Sequence, residues 1–216
     1  LIGFGYGQSG KTMGLASYGK SYFDYSNLDY QDLKFSLKYR DILEDIYSMQ
    51  LISGKTHSEF LESERQNIAA TLQEFTERAL ISLLKNSQKK YKCENLCLAG
   101  GIFLNCLANH KILCECNFKN VFILPSSGDD GQALGCAYFA YTELFGYNSH
   151  FEIRLPYIGL SYTDEEIEAA ILSKNVPYKK YPNEQLVKVL AQYICDNKII
   201  GLHRGKTELG PRALCH

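Results

Sequence analysis

Four stretches of this 216-residue chain set glycines beside charged or amide side chains in patterns that suit anion or metal chemistry. The first, Gly5-Tyr6-Gly7-Gln8-Ser9-Gly10-Lys11-Thr12, satisfies the phosphate-loop pattern GxxxxGK[ST] in full. In a working phosphate loop, backbone amides cradle phosphates and the lysine reaches the terminal ones. The context is poor. Only Leu1 to Phe4 precede it, where a buried strand is needed. Gly14 and Gly19 weaken the helix that should follow, and no apolar strand ends in an aspartate to partner magnesium.

The second stretch is Gly100-Gly101 after the apolar run Asn95 to Ala99, with Asn105 one turn into the next helix. Glycine lets backbone approach a phosphate closely, and a helix N-terminus offers free amides; a plain tight turn is the structural alternative. The third is Ser127-Gly128-Asp129-Asp130-Gly131, with adjacent carboxylates between a strand and a helix. Carboxylates at a strand's C-terminal end suit a hard or borderline metal, and one of them can equally cap the helix. The fourth is Arg204-Gly205-Lys206-Thr207-Glu208-Leu209-Gly210-Pro211-Arg212. Cations beside Gly and Pro turns suit a phosphate or carboxylate, with a solvated loop as the alternative.

The elements that position these residues follow from periodicity. Ser58 to about Lys89 reads as one long helix, with Ile68, Leu72, Phe75, Ala79, Leu80 and Leu83 forming an apolar face. Asn95–Ala99 and Asn120–Leu124 read as buried strands. Phe103–Cys114 and Gln132–Phe145 read as helices after them. Strand–helix–strand–helix is the unit of a parallel sheet, so the class is α/β. Leu33–Leu37 and Lys198–Leu202 suit further strands. Thr163 with Glu166 forms a capping box opening another helix, and a last helix spans about Asn183–Asp196. A boundary near residue 155 separates a domain at 1–154 from a linker and shorter segment at 155–216, which is too small for a core of its own.

Composition narrows the function classes. Lys plus Arg total 23 against 24 Asp plus Glu, a net charge of −1, which argues against nucleic acid held by a basic surface. No apolar run reaches the length of a membrane-spanning helix, so no membrane partner is expected. The eight cysteines lack paired CxxC spacing, and Cys97, Cys106, Cys136 and Cys195 sit in apolar runs. They read as small buried thiols in a reducing cytoplasm. The chain opens at Leu1 and stops at His216 just after a tight turn, so it reads as a fragment whose upstream and downstream parts belong to the same protein.

Taken together, five segments resemble one family, the O-carbamoyltransferases of nodulation-factor and antibiotic tailoring. They are Gly10–Gly19, Leu98–Cys106, Gly128–Gly135, Leu155–Gly159 with Tyr162, and Gly205–Leu214, in family order and rough spacing. The resemblance implies the second half of an actin/Hsp70-like ATPase-type domain, similar to the tRNA-threonylcarbamoyl transferase. It also implies the start of a carbamoyl-adenylate-forming α/β domain. The implied reaction takes carbamoyl phosphate and ATP to carbamoyl-adenylate, then passes the carbamoyl group to a hydroxyl of a small molecule or sugar at an iron-type metal. By position, Asp129 falls on a metal ligand. Gly100, Gly101, Asn105, Gly128 and Gly131 fall at the nucleotide, with Lys11 on a glycine-rich segment lining it. Lys206 and Arg212 fall at carbamoyl phosphate. The family's two histidine ligands, in an HxxxH pattern, would lie upstream of Leu1, and Cys215 stands where the family has glycine. Such a fragment is expected to be inactive alone. A phosphate-loop nucleotide-binding protein and an inactive relic are the other readings.

Overall fold

A computed structural model describes residues 8–24, 36–147 and 157–210. The chain divides into two compact units, Leu1–Gly146 and Tyr147–His216; the expected boundary at 154/155 lies outside the described residues.

The first unit is organised by one helix. It follows α1 (Ser9–Ala16) and α2 (Ser36–Ser53) and is α3, His57–Tyr91. Thr56 caps α3: its hydroxyl accepts from the Glu59 amide, while the Glu59 carboxylate accepts from the Thr56 amide at 2.9 Å. The helix thus starts one residue before the expected Ser58, because Thr56-x-x-Glu59 satisfies two orphan donors reciprocally. It ends at Lys92 in the left-handed conformation, φ 53°. Its first half packs with Ala16, Ile42 and Ile46 around Phe60, Ile68 and Phe75. Its second half packs Leu80, Ile81 and Leu84 on Leu98, Ala108 and Ile112. Burial goes beyond the apolar stripe, because Thr71, Gln73 and Glu77 are buried as well.

After α3 come β1 (Asn95–Leu98), a 3₁₀ turn (Gly101–Leu104), α4 (Cys106–Glu115), β2 (Asn120–Ile123), a 3₁₀ turn (Asp129–Gly131), α5 (Gln132–Phe139) and a π turn (Ala140–Leu144). β1 and β2 pair in parallel with Leu96 opposite Val121 and Leu98 opposite Ile123. The expected strand–helix–strand–helix unit is therefore present, and the class is helix-rich α/β. The strands are not buried on both faces as expected. Leu98 is buried, but Cys97 and Phe122 on the opposite face are exposed, since side chains alternate across a strand and, among the described residues, α3 and α4 cover one face.

Other expectations change too. Cys106, Cys136 and Cys195 are exposed along with Cys97, and Cys116 is the buried thiol among the described cysteines. Burial in apolar surroundings pushes the Cys116 thiol pKa up. Helix α1 forms despite Gly10 and Gly14, because Leu15 and Ala16 pack into the α3 core and tertiary contact outweighs propensity. Ser36 and Leu37 open helix α2 instead of ending a strand, and the rest of Leu33–Leu37 lies outside the described residues.

The second unit holds α6 (Asp164–Ser173) and α7 (Asn183–Cys195). Thr163 and Glu166 form the expected capping box. Lys198–Leu202 is not a strand: Ile199 is fully exposed, and no strand among the described residues pairs with it. Apolar alternation alone does not make a strand without a ladder partner.

Candidate functional site

Parallel pairing puts the C-terminal ends of β1 and β2 side by side, and the loops leaving them meet. The Gly100 amide donates to the Ser127 carbonyl at 2.7 Å. A Cβ on Gly128 would stand 3.6 Å from the Gly101 Cα and 3.4 Å from Leu104 Cδ1. So Gly100, Gly101, Gly128, Asp129 and Gly131, singled out separately in sequence, belong to one place at the C-terminal edge of the sheet.

The glycines there serve different ends. Gly100 has φ 115° and ψ 152°, a region open essentially to glycine alone. A Cβ on Gly101 would meet nothing within 4 Å, so the turn presents bare backbone to open space. Gly131 is buried, and a Cβ there would run into the Ser126 carbonyl oxygen. The same loop is closed by the Ser126 hydroxyl donating to the Asp130 carboxylate. Both aspartates are exposed, but Asp130 is engaged within its own loop by that bond. The Ser127 hydroxyl is buried with no hydrogen-bond partner among the described residues. Bare glycine backbone, open space and an unpartnered hydroxyl fit the phosphates of a nucleotide.

Asn105 has a structural post. Its Oδ1 accepts from the Ala108 amide at 3.1 Å, capping α4. The same oxygen accepts from Gln73 Nε2 at 3.1 Å, and Asn105 Nδ2 returns a bond to Gln73 Oε1 at 2.9 Å. Of the two amide hydrogens on Asn105, one is left to offer a ligand. Sequence reasoning missed Gln73 and the residues linked to this network, Glu77, Lys111 and Asn109. The available signal was two polar residues one helical turn apart, Gln73 and Glu77, flanking the apolar Phe75 of α3.

The metal expectation finds less. Among the described residues no three His, Cys, Asp or Glu side chains gather to hold an ion. His110 and Cys114 approach at 3.6 Å on one face of α4, as a pair only. Asp129 on its own does not make a metal site.

Lys11 is exposed on the first turn of α1, its ammonium donating to Gln8 Oε1 at 3.3 Å. Gly5 and Gly7 of the phosphate-loop pattern lie outside the described residues. In the second unit, exposed Lys206 stands between Gly205, φ 67°, and Thr207. Thr207 is tied to the linker: its amide donates to the Leu160 carbonyl at 2.8 Å, and the Gly159 amide donates to the Thr207 carbonyl at 2.9 Å. Arg204 donates to Asn183 Oδ1 at 3.4 Å, while Arg212 lies outside the described residues.

Glycine turns at the ends of parallel strands place this unit among α/β folds, a class in which ligands generally bind at the sheet's C-terminal edge. The family is narrower. Residues 2–138 match the model described as carbamoyltransferase N-terminus, and the chain belongs to the carbamoyltransferase family. It is 32% identical to nodulation protein NolO of Bradyrhizobium diazoefficiens over 99% of this chain and 40% of that protein. It is 26% identical to the 3'-hydroxymethylcephem-O-carbamoyltransferase of Streptomyces clavuligerus over 95% of this chain and 37% of that one. An uncharacterised protein of Methanocaldococcus jannaschii is 30% identical over 95% of this chain and 35% of its own length. The chain thus spans 35 to 40% of the length of these curated relatives. No helix among the described residues is long and apolar enough to cross a membrane.

Proposed function

We propose that this chain serves ATP-dependent transfer of a carbamoyl group from carbamoyl phosphate, by way of carbamoyl-adenylate, to a hydroxyl of a small molecule or sugar. Family membership supports carbamoyl transfer, and the name of the Streptomyces relative supports an oxygen acceptor. The observation that carries the nucleotide role is the Gly100-Gly101 turn, bare and open beside Ser127 and Gly128 at the ends of two parallel strands. In this reading the first unit is part of an actin/Hsp70-like ATPase-type domain and the second opens a carbamoyl-adenylate-forming domain, both working in the cytoplasm.

The residues divide the work. The glycine turn and Gly128 receive phosphate oxygens with backbone amides, and Gly131 keeps the second loop tight enough to stand beside the first. Lys11 lines the nucleotide from α1. Lys206 and Arg212 hold the small dianion: Arg212 grips two oxygens in parallel, and Lys206 acts as a point charge. In the transfer step the acceptor hydroxyl oxygen bonds to the carbamoyl carbon, the bond from that carbon to the phosphate oxygen breaks, AMP leaves with the electron pair, and the hydroxyl proton passes to solvent. Asp129 would be one ligand of an iron-type centre, with the other ligands from outside the described residues, and such an ion would polarise the carbamoyl carbonyl.

The test measures the two half-reactions separately in the full-length enzyme. Pyrophosphate release from ATP and carbamoyl phosphate reads the first, and AMP release from pre-made carbamoyl-adenylate reads the second. Lys206→Ala and Arg212→Lys are expected to slow the first about tenfold or more, the worth of one charge-assisted hydrogen bond, and to spare the second. Equal loss of both half-reactions, or loss of neither, overturns the assignment of these cations.

A further inference from the structure

The polar residues beneath the glycine turn are too deeply placed to be incidental. Gln73 is 9% exposed and Glu77 4%. Gln73 Nε2 donates to Glu77 Oε1 at 2.7 Å as well as to Asn105, and the other Glu77 oxygen accepts from the Lys111 ammonium. A chain of bonds therefore runs from Lys111 on α4, through Glu77 and Gln73 on α3, to Asn105 at the start of α4. A second tether lies one turn on: Asn109 Nδ2 donates to the Phe103 carbonyl at 2.7 Å, inside the 3₁₀ turn. The residues held by these two tethers are Gly101–Leu104 and Asn105, the segment that directly follows Gly100.

A buried carboxylate and a buried amide are costly to desolvate, and well-packed apolar residues of like size would hold two helices together as well or better. What apolar packing does not supply is direction. Both atoms of the Gln73 carboxamide are engaged, so its plane fixes the plane of Asn105, and Asn105 fixes the first turn of α4.

We infer that Gln73 and Glu77 are positioning residues that hold the Gly100–Asn105 turn in its ligand-ready shape through Asn105. The ligand part of this inference rests on the nucleotide reading above; the mechanical part does not. The bonds of Gln73 and Glu77 go to each other, to Asn105 and to Lys111, whereas the turn's own backbone faces the open space over Gly101. They act by orienting that turn.

The experiment has two arms, both on the full-length enzyme. In the first, amide hydrogen exchange is compared between wild type and Gln73→Met, which keeps length and burial but loses the bonds to Asn105 and Glu77. Amides of Phe103, Asn105 and Ala108 are expected to lose about tenfold or more of their protection, while those of Ile81 to Leu84 change less than about twofold. Glu77→Gln retains an oxygen for Gln73 and is expected to leave the turn near wild type, whereas Glu77→Leu loosens it as Gln73→Met does. Arg78→Gln is the control: Arg78 also joins α3 to α4, by an ion pair to Glu115 at 3.0 Å, but away from the turn. Loss of protection spread evenly over both helices, or an effect of Arg78→Gln equal to that of Gln73→Met, overturns positioning in favour of plain packing.

In the second arm ATP binding is measured by calorimetry. Gln73→Met is expected to bind about tenfold more weakly than wild type, with Glu77→Gln close to wild type. A loosened turn with unchanged ATP affinity overturns the positioning role toward the ligand. A wild-type chain that does not bind ATP overturns the nucleotide reading instead, and the exchange arm then decides the mechanical claim alone.

Discussion

Gly131→Ala and Gly135→Ala are the same substitution four residues apart, and the structure expects them to have opposite signs. Gly131 is buried with φ −76° and ψ −11°, which alanine adopts without strain. The obstacle is space. An added Cβ would lie far inside 3.0 Å of the Ser126 carbonyl oxygen, and 3.2 Å from Leu124 Cδ2. Both partners of the first clash are anchored by backbone, so neither yields by a side-chain rotation. Clearing it needs a backbone shift of about 1 Å, and overpacking of that kind destabilises by about 1–3 kcal/mol. Gly135 is inside α5, and its Cβ would meet nothing within 4 Å. There alanine gains the ordinary helix advantage over glycine, about 0.5–1 kcal/mol. For a chain of this size those figures correspond to melting shifts of roughly 2–12 °C downward and roughly 1–4 °C upward. Thermal unfolding of the two variants and wild type, followed by circular dichroism in one buffer, reads both. A Gly131→Ala protein that melts at or above wild type would refute the close approach of Gly131 to Ser126, and with it the loop geometry on which the site is built.

The remaining predictions use the same logic. Gly101→Val should leave the melting temperature within about 2 °C of wild type, because its side chain enters open space, yet weaken ATP binding by about tenfold or more in calorimetry. Metal binding should be weak: iron(II) or manganese(II) titrated into the 216-residue chain should bind no tighter than about 1 µM, since one carboxylate holds such an ion poorly, and tighter binding that survives Asp129→Ala would place the site elsewhere. The Tyr22 hydroxyl donates to Glu64 Oε2 at 2.7 Å; desolvation first and the Glu64 bond second push the Tyr22 pKa well above its ordinary 10.0. The group is raised in the folded state, so its contribution is complete below pH 10.0 and is lost as pH rises beyond that value, where the unfolded chain alone ionises. The same bond lowers the Glu64 carboxyl below 4.5, a contribution present above that pH and lost as pH falls through the folded value. Tyr22→Phe should flatten the stability slope at both ends in denaturant titrations run across pH, and unchanged slopes would refute the pairing.

How far these features could be read from sequence depended on whether their causes were local. The long helix, the two short strands and the Thr163–Glu166 box follow from spacings within a few residues, and they stand where the spacings put them. The start of α3 was equally local: Thr56-x-x-Glu59 is the same motif, and Ser58 only happened to be nearer the apolar run. Where partners decide, local reading failed. Lys198–Leu202 has strand composition but no ladder, and α1 has two glycines but a core to lie on. Cys97, Cys106, Cys136 and Cys195 sit in apolar runs and are exposed all the same, because a run does not say which face has cover. At the site, the glycines announced themselves by sequence, whereas Gln73 and Glu77 did not. Their meaning depends on Asn105 and Lys111, more than thirty residues away along the chain.

Space is what separates a glycine the fold needs from a glycine the ligand needs. At Gly131 a methyl group has nowhere to go, so packing alone accounts for the residue. At Gly100 the backbone angle accounts for it. At Gly101 neither does: the residue is not in the left-handed region, and the volume a Cβ would take is open. Openness by itself proves little, because Gly14 and Gly135 are as open and merely sit in helices. Gly101 differs in standing at the end of a parallel strand, beside a buried hydroxyl without a partner, on a turn that two independent side-chain tethers hold still. On the proposed reading, the bare outer surface of that turn receives a group that comes close to the backbone. A phosphate group is the ligand whose size and charge make that approach favourable.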